Sequence, residues 1–595
     1  MGIIRGTQLA GHTVRMGGQS LKDWFKFFTA LWFLLIVLML YLRIDDIHVS
    51  HIKGYGVAVW RRIGWDETKV PLINRVETEK KRAIHIKLMN VINRKPHISD
   101  QIVVYYYTPD NILINKIGKE EWIALNNIWW NSVIVSFVIA SLLMAVVTFY
   151  LGRRGNKTKK DSFVRGRKIT DARNLNNQIL VENTKESIVS PYSIAGIAFP
   201  PRGETEHLMI SGVSGTGKTV LLKDLLRQIK EKGDKAIIYD YTGAFVEVFY
   251  NPEKDIIINP FDERTKNWCL LKEASTEAEF DTIAEALIGN SDSISDPFWP
   301  NGARLIFSEL CKIQFRNKNF DTQELYNHLL LPIDQINEIL KDTLAQNFTD
   351  PKSTKTTLSL LMMLSTYLKG LKYIKNNDKD DFSIKKWILD PEANNMLFLS
   401  SRSSLHGSIQ PLISGMMDIA INNMGELPVG HSKKTWLIFD EISSLNHLPS
   451  LEQGLTVSRN FGGCFVIAFQ SLSQLIKRYG AQDAETITSN CNSKIILKAG
   501  NTETAKWASQ LLGTEEIEKY REGLSYGAHE VRDGVNLSKD RVERSIVLAS
   551  EILSLPKFTG YALMTGGLPV TPINFESLKY VTSPYSNVSF IKKIK

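Results

Sequence analysis

At 595 residues the chain exceeds one ordinary domain, and 43% hydrophobic with 23% charged residues excludes an intrinsically disordered chain. A formal net charge of +9 suits a polyanion or an anionic lipid surface without demanding either. The cysteines, Cys269, Cys311, Cys464 and Cys491, have the spacing of neither a zinc site nor a disulfide framework.

The first predicted element is the uncharged run "FFTALWFLLIVLMLYL", residues 27–42, extended upstream by Trp24 and Phe25. A second uncharged run covers residues 122–152. About 20 residues cross the hydrocarbon at 1.5 Å per residue, so both runs are read as transmembrane helices rather than core helices. Trp24, Tyr41, Trp129, Trp130 and Tyr150 stand near their ends, as interfacial aromatics do. The first run is too long for a signal peptide and lacks a small-residue cleavage site. "RRGNKTKKDSFVRGRK" follows the second run, and Arg5, Arg15, Lys22 and Lys26 precede the first. This bias puts both ends in the cytoplasm and makes residues 43–121 an outside loop domain. All four cysteines then fall on the reducing side. In the loop domain "GVAVW", "AIHIKLM" and "QIVVYYY" have strand composition, which predicts a small extracytoplasmic α+β fold. Tyr105, Tyr106 and Tyr107 are read there as strand packing.

From residue 207 onward, strand and helix alternate. Continuous apolar runs, expected of parallel strands covered on both faces, are "HLMIS", "AIIYD", "DIIIN", "NMLFLS", "TWLIFD", "CFVIAF" and "SKIILKAG". Helical periodicity dominates residues 268–390, as in "TLSLLMMLSTYLKGL", which predicts an all-α domain inserted into a parallel α/β core. Leu358, Leu360, Leu361, Met362 and Leu364 are read as its core, because nearby lysines exclude another membrane span. The expected division is a cytoplasmic N-terminus (1–26), transmembrane helix 1 (27–42), loop domain (43–121) and transmembrane helix 2 (122–152). A nucleotide-binding domain in two parts (153–267 and 391–595) then surrounds the all-α domain (268–390).

"HLMISGVSGTGKTVLLKDLL" carries the first chemistry. Gly212, Ser214, Gly215, Thr216, Gly217, Lys218 and Thr219 fit the G-x-x-x-x-G-K-[ST] phosphate loop between a strand and an amphipathic helix. Small residues let main-chain N–H groups converge on a β-phosphate at the positive end of the helix dipole. Lys218 supplies a charge to the β- and γ-phosphates of ATP, and Thr219 a hydroxyl to Mg2+. The apolar strand "WLIFDE" ends in two carboxylates. Asp440 is the expected Mg2+ partner and Glu441 the acceptor of the attacking water's proton. Gln470 ends the strand "CFVIAFQ", where an amide can touch the γ-phosphate. Arg459, nineteen residues after Asp440, fits an arginine finger reaching a neighbouring subunit. Lys477, Arg478 and Tyr479 are candidates for nucleic-acid contact or a solvated helix face.

In this order, "GETEHLMISGVSGTGKT", "AIIYDYTGAF", "DIIINPFDERTKNW", "DPFWPNGARLIF", "WLIFDEISSLNHLPSLEQGLTVSRNFGGCFVIAFQSLSQL" and "SEILSLPKFTGYALM" resemble the type IV coupling proteins of bacterial conjugation. The resemblance covers nearly the whole chain. It implies a RecA-like P-loop fold in an inner-membrane, homo-hexameric ATPase related to ring translocases. Such a protein uses ATP and Mg2+, joins a relaxase–DNA complex (the relaxosome) to the components of a type IV secretion channel, and moves single-stranded DNA. The roles of Lys218, Thr219, Asp440, Glu441, Arg459 and Gln470 would carry over. Export of protein effectors is the alternative within the same architecture. Unlike some members, this sequence has no long acidic extension after its last core strand.

Overall fold

The computed structural model describes residues 2–44, 46–64, 66, 68–75, 102–113, 119–158, 162–289, 296–374, 381–430, 433–525, 534–577 and 588–592. It divides into two compact units, residues 1–160 and 161–595.

The first unit is built on two long helices, α1 (Gly2–Arg43) and, later in the chain, Lys119–Thr158. Within them, Leu21–Arg43 and Trp122–Tyr150 are long and apolar enough to cross a membrane. They pack through aromatic edges, with Phe137 set against both Phe28 and Trp32, and the Trp32 indole donates to the Val133 carbonyl (3.3 Å). Between them lie helix α2 (Asp46–Ile63) and the antiparallel strands β1 (Val70–Arg75) and β2 (Ile102–Tyr107).

"QIVVYYY" is therefore a strand, whereas "GVAVW" is not: it forms the end of α2. The reason is a helical stripe the short run conceals. His48, His51 and Ala58 are buried at helical spacing. Gly54 completes that face, because a Cβ there would stand 2.3 Å from the Leu72 side chain on β1. "AIHIKLM" lies outside the described residues.

In the second unit, β3 (Ser162–Gly166) leads to a nine-stranded sheet. Its strands are β4 (Leu208–Ser211), β5 (Lys235–Asp240), β6 (Ile256–Ile258), β7 (Met396–Ser400), β8 (Thr435–Phe439), β9 (Gly463–Phe469), β10 (Ser493–Ile496), and two contributed later in the chain, Thr559–Leu563 and Thr571–Asn574. All seven expected runs form strands. The order is Thr571–Asn574, Thr559–Leu563, β10, β4, β9, β8, β5, β7, β6. The last seven are mutually parallel, and the other two extend the β10 edge antiparallel. One strand, β9, separates the phosphate-loop strand from the acidic strand.

Side chains alternate between two cores. Ile237, Tyr239, Leu437, Phe439, Phe465 and Ile467 join the core shared with the helical insert, and Ala236, Ile238, Trp436, Ile438, Cys464 and Val466 join the opposite one. Each large side chain so buried is worth about 1.5–3 kcal/mol. The four cysteines are free and buried. In the insert, the helix Thr354–Leu368 buries Leu360, Leu361 and Leu364 as expected, but Leu358 and Met362 are exposed. Their i, i+4 spacing puts them together on the helix's outer side.

The charged segment between β10 and Thr559–Leu563 forms a long hairpin, β11 (Thr514–Ser525) with β12 (Gly534–Ser545), and β11 also pairs with β3. Directly opposed pairs, Glu515 with Arg544 (2.8 Å) and Glu518 with Arg541 (3.4 Å), line the ribbon.

Glu273 closes the root of the insert. Fully buried, it accepts from the Trp268 indole (2.6 Å), the Ser383 hydroxyl (3.3 Å) and the backbone N–H groups of Ile384 (2.6 Å) and Lys385 (2.8 Å). Entry and exit segments are thereby tied together, helped by Cys269 N–H to Phe382 O (3.2 Å) and Phe382 N–H to Asn267 O (2.7 Å). Burial pushes the Glu273 carboxyl up to about 7, against the pull of its four donors. A folded-state value above the unfolded one contributes stability that is complete below about pH 4.5 and lost as pH rises through about 7. The thermal-stability advantage of the wild type over Glu273→Gln is therefore larger at pH 5 than at pH 8. A melting-temperature gap that widens with pH would contradict this.

Candidate nucleotide-binding and catalytic site

The site forms at the carboxyl edge of the parallel strands, where ligands bind in open α/β sheets. After Ser211 the chain leaves β4 and turns through Gly212–Gly217 into the helix Lys218–Lys232. That helix buries Leu221, Leu222, Leu225, Leu226 and Ile229 on the sheet. Gly215 and Gly217 take left-handed backbone, φ 78° and 117°, which aims the loop's amides inward. Thr216 is buried and donates to Val213 O (2.7 Å), bracing the turn.

A cavity of about 460 Å³ opens on this loop. Ser214, Gly215, Gly217, Lys218 and Thr219 line it from one side, and Asp440, Glu441 and Gln470 from the other. Gly212 serves from behind: its carbonyl accepts from the Lys218 ammonium (2.5 Å). The Thr219 hydroxyl donates to Asp440 Oδ1 (3.2 Å). All the expected cradle and carboxylate-edge residues thus assemble in one place.

Burial sets the electrostatics. It lowers the Lys218 pKa, while Glu441 and Asp440 pull it back up. It raises Asp440, against the Thr219 hydrogen bond and the Lys218 charge. It also raises Glu441, against Lys218 and the Gln470 amide. Glu441 Oε1 is buried without a hydrogen-bond donor, which leaves it free to accept a proton.

Arg459 does not line the cavity. It sits on the turn Ser458–Phe461 that precedes β9, at the sheet edge opposite Gln470. One guanidinium nitrogen donates to Asn490 O (2.9 Å), and its Nε is buried without a partner. Tyr479 is buried in the core and so is unavailable to stack on a base, whereas Lys477 is exposed and Arg478 half-buried.

Sequence reasoning assigned no role to Tyr241, Thr242, Phe558 or Phe575. Tyr241 and Thr242 line the cavity from the loop after β5. That loop is shaped by Asp240, which accepts from the N–H groups of Gly243 (2.8 Å), Phe245 (2.9 Å) and Val246 (3.0 Å), and whose burial raises its pKa to about 6. The strand end at "YDYTG" was the available signal. Phe558 enters from the antiparallel extension, here labelled β13 (Thr559–Leu563) and β14 (Thr571–Asn574). Its backbone is left-handed (φ 61°), its N–H donates to Thr216 O (3.1 Å), and its carbonyl accepts from Phe575 N–H (3.0 Å). A Cβ on Gly217 would stand 2.7 Å from the Phe575 ring and 2.9 Å from the Phe558 ring. Those rings and the left-handed backbone leave room only for glycine at this position.

Gly217→Ala should weaken ATP binding at least about tenfold, or 1.4 kcal/mol, in titrations with a fluorescent analogue. Adding Phe558→Ala should restore part of that loss. Unchanged affinity in Gly217→Ala would contradict the steric account.

Residues 191–576 match the family described as the type IV secretion-system coupling protein DNA-binding domain. The coupling protein TraD of Escherichia coli (strain K12) is 31% identical over 466 residues, covering 77% of this chain and 64% of TraD. The chain thus spans just under two thirds of that relative's length. The bacterial conjugative coupling protein TrwBΔN70, in its unbound monoclinic form, matches with a TM-score of 0.65 at 28% identity, covering 73% of this chain and 97% of that one. TrwB in complex with ADP and Mg2+ matches with a TM-score of 0.64 at 27% identity, covering 73% of this chain and 98% of that one. The family match takes in the phosphate loop, both acidic residues, Gln470 and Phe558. On this sequence match and this fold, the chain belongs to the type IV secretion-system coupling proteins.

Proposed function

We propose that this protein is an inner-membrane ATP hydrolase that drives single-stranded DNA through a type IV secretion channel during conjugation. The carrying observation is the convergence of Lys218, Thr219, Asp440, Glu441 and Gln470 on one cavity. The relative TrwB has been solved with ADP and Mg2+ and with a non-hydrolysable ATP analogue, which supports ATP as the nucleotide here.

Thr219 and Asp440 present hard oxygen ligands to one another, the chemistry that suits Mg2+. Among the described residues no cluster of three or more His, Cys, Asp or Glu forms a metal cage. A bound ion would therefore complete its shell with phosphate oxygens and water, and would neutralise charge on the phosphates. The loop amides and Lys218 hold the β- and γ-phosphates. Glu441 Oε1 takes a proton from water as the water oxygen bonds to the γ-phosphorus. The bond from that phosphorus to the β,γ-bridging oxygen breaks, and its electron pair stays on ADP. Gln470, one strand from Asp440, registers the γ-phosphate.

Arg459 acts in this reading as a finger for a neighbouring subunit of a homo-hexamer. Its place at the far sheet edge removes it from its own cradle, and its side chain is half-buried rather than enclosed. The apolar helices anchor the chain with the second unit in the cytoplasm, where it receives a relaxase–DNA complex.

In detergent-solubilised full-length protein, Glu441→Gln should bind ATP nearly as the wild type does but lose about 100-fold or more in turnover, the scale of a general base. Lys218→Ala should lose both binding and turnover. Wild-type turnover should rise with single-stranded DNA, and neither variant should support mating. Wild-type turnover in Glu441→Gln would overturn the assignment.

A further inference from the structure

A second chamber, of about 360 Å³, lies beside the nucleotide cavity, and the two share Tyr241, Glu441 and Gln470. One wall is a face of the helix Leu472–Tyr479, which starts two residues after Gln470 with Ser471 as its cap. Gln474, Lys477 and Arg478 follow i, i+3, i+4 spacing on that helix, so they share one face, and all three line the chamber. Among the described residues Lys477 and Arg478 make no ion pair, and the chamber lining holds one carboxylate, Glu441. Two cations thus face a polar space whose single acid is also the proton acceptor of the neighbouring cavity.

We propose that this chamber is an orthophosphate site: the hydrolysis product passes between Glu441 and Gln470 and is held by Lys477 and Arg478 before release. The inference rests on the ATPase reading above. In the reaction, the water oxygen stays on the γ-phosphorus, the bridging oxygen leaves with ADP, and the water proton goes to Glu441. The cationic wall, which carries Lys477 and Arg478, competes with Lys218 for the new phosphate. The cations thereby draw the product away from ADP and disfavour its return.

The test uses full-length protein in detergent with Mg2+ and inorganic phosphate as the probe. Two readouts are product inhibition of ATP hydrolysis by orthophosphate, and orthophosphate affinity of the ADP-loaded protein by phosphorus NMR. Lys477→Ala with Arg478→Ala should weaken both at least tenfold and leave the KM for ATP within twofold. The charge-preserving pair Lys477→Arg with Arg478→Lys should restore wild-type values. Unchanged phosphate affinity in the double-alanine variant overturns the proposal. So does unchanged phosphate affinity with weakened single-stranded DNA binding, which would assign the wall to a nucleic-acid backbone. Phosphate binding that depends on the two cations in a protein without ATP turnover would support the chamber while refuting the ATPase reading.

Discussion

The Thr219 hydroxyl meets the Asp440 carboxylate at 3.2 Å across an intervening strand, and the rest of the site depends on that contact. It is fixed by strand register. Ser211 on β4 pairs with Phe469 on β9, and Ile467 on β9 pairs with Phe439 on β8. The chain therefore leaves β4 into the phosphate loop beside Gln470, and Asp440 with Glu441 follows one strand away. A slip of one residue would turn each strand's side chains to the opposite core and carry the acids out of reach. Buried Trp436, Ile438, Phe465 and Phe469 make such a slip costly, so apolar packing on the two faces sets the geometry of a polar edge.

Burial of the same edge gives its groups their chemistry. Water is excluded enough to raise Asp440 and Glu441 and to lower Lys218; Lys218 pulls both carboxylates back toward their charged form, while the Asp440 charge adds to the rise at Glu441. A metal with its triphosphate would bring positive charge to an edge where two carboxylates face the single Lys218 ammonium. Asp240 and the Phe558–Phe575 pair act at one remove: the first shapes the loop that carries Tyr241 and Thr242, and the second holds Gly217 from outside.

Much of this was legible in the sequence because the phosphate loop is a local motif and continuous apolar runs mark parallel strands directly. The loop, the acidic strand end, Gln470 and all seven parallel strands needed no long-range information. "GVAVW" misled because five residues of strand composition hid a helical stripe, His48, His51, Gly54 and Ala58, whose meaning depends on contact with Leu72. The β11–β12 ribbon stayed hidden for the opposite reason. "TEEIEKYREGLS" is too charged to read as a strand, and its pairing rests on cross-strand ion pairs and on β3, over 300 residues earlier in the sequence. Phe558 and Phe575 could not be found from local pattern, since their role exists only once β13 and β14 extend the sheet beside the loop.

The most direct test of the central claim is an experimental structure of the protein with Mn2+ and a non-hydrolysable ATP analogue. The account predicts anomalous signal for the ion between the Thr219 hydroxyl and Asp440, with the γ-phosphate between Lys218 and Glu441. An ion located elsewhere, or a cradle without nucleotide and Asp440 turned from Thr219, would contradict it.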